Sequence, residues 1–220
     1  MDDLVSALWL SARVATAATA LGALVAVPLA FWLAHRRFWG KSLLEAVLTV
    51  PLVLPPTVVG YLLILLMGTR GWVGQWLHQA FGYRFLFSME AAVVAAAVVG
   101  FPLLLLPAKA AFESIEPEMQ DLARLFGVGP ISTFWHISLP LARRGIVSGV
   151  LLAFARSLGE FGATVMVLGT TPGRRTLPVM IYVEYIDRHA DRAWPAVVLL
   201  SAISFVVIAM RNRWLGGRQV

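Results

Sequence analysis

The sequence predicts an all-α integral membrane protein, and three observations carry that expectation. Its 220 residues are 59% hydrophobic and 14% charged, more apolar than a domain that folds in water. Apolar stretches of about 20 residues, the helix length that crosses a ~30 Å hydrocarbon core, recur along it. Most of the 18 Lys and Arg fall in the connections between those stretches. That scatter fits membrane topology and excludes a nucleic-acid-binding basic face. A chain of this length holds one membrane domain. It has no cysteine, so disulfides, thiolate metal sites and thiol nucleophiles are excluded.

Five spans are expected, at about 14–34, 43–67, 89–106, 146–168 and 194–210. The first follows MDDLVSALWL, which is acidic where a cleavable signal is basic, so no such signal is expected. Arg13 lies near its outer end, where a long side chain snorkels to the interface. The Gly40-Lys41-Ser42 that comes after looks like the tail of a phosphate-binding loop, but a membrane helix precedes it where that motif needs a strand.

The second span carries Pro51, Pro55 and Pro56 midway, so its backbone hydrogen bonding must break there. A half-helix starting at Thr57 then points free N–H groups into the membrane. Two readings are open: an anion-favouring end, or a kink that serves packing. The connection 68–87 is rich in glycine and aromatics and reads as an ordered interfacial loop. The third span ends in Gly100, Pro102 and Pro107.

The fourth span has small residues at Gly145, Gly149, Ala153 and Ser157, one every four positions, a face that admits another helix closely, within or between subunits. Arg156 and Glu160 sit at i, i+4 near the middle of the same expected helix. Each costs ~2.5–3.5 kcal/mol if turned toward lipid, so both must face protein or water. They belong either to a translocation path or gate, with Pro55, Pro56, Thr57, Ser157 and Thr164 as its other candidates, or to a structural ion pair. The segment 177–186, LPVMIYVEYI, is apolar but too short to span, and suits a re-entrant or interfacial helix. The fifth span is flanked by Trp194 and Trp214, suited to the interfaces.

Five spans put the termini on opposite sides. With the N-terminus outside, Arg36, Arg37, Lys41, Lys109, Arg124, Arg143, Arg144, Arg211, Arg213 and Arg218 are cytoplasmic, which outnumber the cations left outside. The connection 109–144 is then cytoplasmic. Within it, Met119, Leu122, Ala123 and Phe126 form an apolar stripe on a short helix whose other face holds Glu118, Asp121 and Arg124. Gly127 suits the left-handed residue past its end. Gly129 and Pro130 restart the chain, and Ile131, Phe134 and Trp135 give a second one-turn face that Leu139-Pro140 is expected to stop.

Asp121-Leu122-Ala123, three residues, Gly127, nine residues and Ile137-Ser138-Leu139-Pro140 resemble the EAA loop of the membrane subunits of binding-protein-dependent ABC importers. Asp121 stands for that family's Glu and Leu122 for its first Ala. The resemblance implies a type I importer transmembrane domain whose loop forms a coupling helix. Glu118, Asp121, Leu122, Ala123, Arg124, Gly127, Ile137, Leu139 and Pro140 would then dock on an ATPase subunit. The runs 51–77 and 157–182 look like molybdate permeases, and the LGEFGA core at 158–163 is shared with sulfate and thiosulfate permeases.

What the resemblance implies is a permease homodimer in a bacterial or archaeal cell membrane. A dimer of ATPase subunits holds the ATP and Mg, and an external binding protein delivers molybdate, with tungstate as a second cargo. Alternatives are a sulfate, thiosulfate or tungstate-specific permease and, from another class, a stand-alone anion channel or secondary transporter. The latter class calls for inverted repeats and no docking helix. No cofactor or metal is expected on this chain: His35, His78, His136 and His189 lack ligand spacing, and Ser157 lacks a base partner. The acids at 113–121 lie on a loop helix without the pocket that catalysis needs.

Overall fold

In hydrocarbon every backbone polar group must be satisfied within the protein, and apolar sequence of this kind meets that demand as helix. The computed structural model describes residues 2–116, 118–119, 125–171 and 173–216. Among them the order is α1 (Asp2–His35), α2 (Lys41–Val53), α3 (Pro56–Met67), α4 (Trp72–Phe81) and α5 (Met89–Glu113). The rod α6 (Pro130–Leu158) follows, then α7 (Gly162–Leu168), α8 (Leu177–Ile186) and α9 (Ala190–Gly216). Four helices are long and apolar enough to cross a membrane, and the bent pair α2–α3 is a fifth candidate.

Helix α5 is the centre, packed along α1 on one side and α6 on the other. Its first half is nearly all small: Ala92 and Ala96 are buried against Val14 and Ala18 of α1, and Ala91 and Ala95 against Val59 and Leu63 of α3 and Ala163 and Val167 of α7. The expected small face of the fourth span is used within the subunit. A Cβ on Gly149 would lie 2.9 Å from the Leu104 carbonyl oxygen, and one on Gly100 would lie 3.0 Å from Ser157 Oγ. Only glycine allows backbones this close.

The helices do not coincide with the expected spans. Helices α1, α5 and α9 run past the expected spans at one or both ends, because polar turns outside the hydrocarbon continue a helix at little cost. The second span bends by 115° between Val53 and Pro56. Pro55 and Pro56 have no N–H to offer the preceding turn, so α2 ends there and Pro56 opens α3. The connection 68–87 contains a helix, α4, with Trp72 and Trp76 exposed.

The fourth span departs most. Its helix starts at Pro130 and ends at Leu158, and α7 is a separate helix after a break at 159–161. Leu139-Pro140 does not stop it. The turn Phe134–Ser138 widens to π geometry, with the Leu139 N–H donating to the Phe134 carbonyl five residues back. A widened turn lets proline, which has no N–H and crowds the carbonyl four residues earlier, sit inside a continuous rod. The short helix expected at 177–186 matches α8, where Leu177, Pro178, Val179 and Met180 are buried.

Candidate docking and translocation sites

The segment expected to dock leads into the start of α6. Thr133 donates its hydroxyl to the Gly129 carbonyl at 3.1 Å, and Pro130 fills the first helical position. Phe134 anchors this end in an aromatic cluster. Its ring centroid lies 4.9 Å from that of Phe31 on α1, and Phe112 on α5 meets Phe31 edge-on at 5.3 Å. Gly127 has φ 74°, the left-handed region open to glycine without penalty.

Around that anchor Leu125, Phe126, Ile131 and Trp135 are all more than half exposed. Four large apolar side chains exposed on one connection form a candidate contact surface. Glu118 is exposed, Ile137 and Leu139 are half-buried on the rod, and Pro140 is exposed. Asp121, Leu122, Ala123 and Arg124 lie outside the described residues. Leu125 lies outside the expected apolar stripe, although its size beside Phe126 signals it.

The midspan candidates divide into two groups. Arg156 lies in the last turn of α6 and Glu160 just beyond it, so the two are not within one helix as expected. They still pair, with Arg156 Nη1 2.5 Å from Glu160 Oε2. The other oxygen, Oε1, accepts the Ala163 N–H at 2.8 Å and so caps α7. The Glu160 side chain is 1% exposed and that of Arg156 31%. Glu160 thus has both oxygens engaged, while the outer face of the guanidinium is open.

The proline elbow joins this break. Gly162 is so close to it that an added Cβ would lie 2.9 Å from Pro56 Cβ, and one on Gly60 would lie 2.9 Å from Ala163 Cα. The starts of α3 and α7 therefore meet beside Glu160, with Pro55 and Thr57 exposed there. Ser157 and Thr164 do not join them. Ser157 is buried against α5 and donates to the Ala96 carbonyl at 3.3 Å, and Thr164 is 1% exposed. The Ala163 amide and the Phe161–Tyr182 ring contact at 4.8 Å complete the break. Neither is legible from charge patterning, because one is backbone and the other joins distant segments.

Residues 26–215 match the model of a family described as binding-protein-dependent transport system inner membrane component. This chain belongs to that family. Relatives of this transport component include the molybdenum transport system permease protein ModB of Escherichia coli, 40% identical over 94% of this chain and 93% of that one. The protein of the same name from Haemophilus influenzae is 37% identical over 97% and 94%. The sulfate transport system permease protein CysW of Synechocystis is 33% identical over 88% and 73%.

Among solved structures, a bacterial alginate ABC transporter in complex with its periplasmic protein superposes with TM-score 0.76, at 16% identity over 97% of this chain and 78% of that one. The MetNI methionine ABC transporter, inward facing, gives 0.72 at 18% identity over 96% and 93%. The fold is that of a type I ABC importer transmembrane domain, and the transport component is a multi-pass membrane protein. Its relatives are transport permeases, which perform no covalent chemistry.

Proposed function

We propose that this chain is the membrane-spanning subunit of an ATP-driven importer of molybdate, with tungstate as a second cargo. The observation that carries the reading is 37–40% identity to molybdenum permeases across 94–97% of the chain. The exposed apolar surface at Leu125, Phe126, Ile131 and Trp135 supports a coupling role. Glu118, Asp121, Leu122, Ala123, Arg124, Gly127, Ile137, Leu139 and Pro140 complete the docking segment, which seats in a cleft of a cytoplasmic ATPase subunit. That orientation, N-terminus outside and C-terminus inside, follows the excess of Lys and Arg on one side.

In this reading two copies form a homodimer over an ATPase dimer, and ATP and Mg are bound there. Closure of the ATPases draws the docking segments together. Because α6 is one rod from Pro130 to Leu158, that displacement reaches Arg156 and Glu160 without a flexible joint. The elbow at Pro55, Pro56 and Thr57 packs on the same break and opens or closes with it. Ser157 holds α6 to α5, and Thr164 holds α7 in place; both position the gate without touching the anion.

The test is uptake into proteoliposomes containing this subunit, its ATPase and its binding protein. ATP-dependent molybdate uptake, inhibited by tungstate and indifferent to sulfate, is expected. Sulfate uptake would move the chain to the permeases that CysW represents. Flux without ATP would end the importer reading.

A further inference from the structure

Two cavities apart from the candidate sites above lie on one stripe of the α1–α5 pair. The first, about 440 Å³, opens where α5 begins, between an apolar side at Leu10, Met89 and Leu168 and a polar side at Tyr83, Arg84 and Arg174. The second, about 390 Å³, is a groove lined by Leu21, Gly22 and Val25 of α1 and Val94, Val98 and Phe101 of α5, with α2 along one edge. Its lining is almost wholly apolar.

Leu10 to Leu21, and likewise Glu90 to Phe101, is about three helical turns, so each pair shares a helix face about 16 Å apart. Both helices thus present the two cavities in line. The separation matches one leaflet of a ~30 Å hydrocarbon core. Polar groups sit at one end of the line and apolar walls at the other.

Three details point to the occupant. Arg84 and Arg174 are exposed, and neither side chain has a hydrogen bond or ion pair among the described residues. Glu90, the acid in the same cleft, accepts a hydrogen bond from the Tyr83 hydroxyl at 3.0 Å, and the two arginines outnumber it, so the cleft is net positive. Gly22 forms the groove floor, and a Cβ there would meet nothing within 4 Å. A glycine inside a helix costs about 1 kcal/mol relative to alanine, and no crowding here requires it. What it preserves is open space.

We propose that this line is a site for a retained phospholipid, its phosphate against Arg84 and Arg174 and one acyl chain lying past Gly22. The net positive charge at one end of the line favours this occupant over a helix from a second copy, whose apolar face would leave Arg84 and Arg174 unanswered.

The test is native mass spectrometry of the protein purified from membranes in mild detergent. One phospholipid per chain is expected. Arg84→Gln with Arg174→Gln, and separately Gly22→Leu, should each cut retention about tenfold, the scale of one lost charge-assisted contact or a blocked groove. Wild-type retention in either variant overturns the site. So does displacement by added inorganic phosphate, which would assign the arginines to a soluble anion.

A second measurement needs no variant. Wild-type protein in vesicles of phosphatidylethanolamine and photoactivatable phosphatidylglycerol should carry adducts concentrated on the α1–α5 groove. Adducts spread equally over α9, or a cross-link between copies through the groove, also overturn the site.

Discussion

At the scale of single residues, the Arg156–Glu160 pair decides between a gate and a brace. Removing one partner of a buried pair leaves a charge uncompensated, and because Arg156 is partly exposed the cost is discounted to roughly 1–3 kcal/mol. Glu160→Gln should therefore lower the thermal stability of the detergent-solubilised protein by that amount. Adding Arg156→Gln should recover most of it. If the recovered double variant also restores coupled uptake, the pair only braces the fold; if stability returns and uptake does not, it belongs to the gate. Gly149→Val makes a sharper claim. Its Cβ would lie 2.9 Å from a backbone oxygen of α5, so the variant should fail to elute as a monodisperse species.

Among the elements, the π turn at Phe134–Ser138 sets how the start of α6, with the exposed Ile131, is rotated relative to the rest of the helix. A π turn carries one residue more than the α-helix it interrupts. Deleting the exposed His136 should restore regular helix and turn the segment before it by about 100°. Phe134 would leave the cluster with Phe31 and Phe112, and ATPase binding should fall in a pull-down while the membrane part stays folded. A second tie is electrostatic. Lys109 on α5 reaches Glu45 on α2 at 3.0 Å and Glu113 at 3.3 Å. These groups are partly exposed, so the α2–α5 bridge is worth about 1 kcal/mol, and Glu45→Gln should lower thermal stability by about that amount.

For the whole molecule, orientation is testable because the chain has no cysteine. A cysteine at Phe126 should react with an impermeant maleimide only in inside-out vesicles, and one at Arg84 only in right-side-out vesicles. The opposite pattern would invert the topology and remove the docking role of the segment at 118–140.

Composition and apolar run length were enough to establish a helical membrane domain, because a ~30 Å core and the need to satisfy every backbone group leave little else possible. Pro55 and Pro56 likewise foretold the break of the second span, since proline acts on its own backbone, whereas Pro51 lies inside the unbroken α2. Small residues at four-residue spacing announced close packing. Which helix they meet, α5 of the same chain, depended on the tertiary structure, as did the 115° reversal at the elbow. The same holds for Glu160. Spacing placed it beside Arg156, but only the fold showed its second oxygen capping α7, because a helix end within an apolar run leaves no hydrophobic signature. Pro140 shows the limit most plainly: alone it reads as a stop, and the packing of Phe134 between α1 and α5 holds the wider turn that carries the helix through.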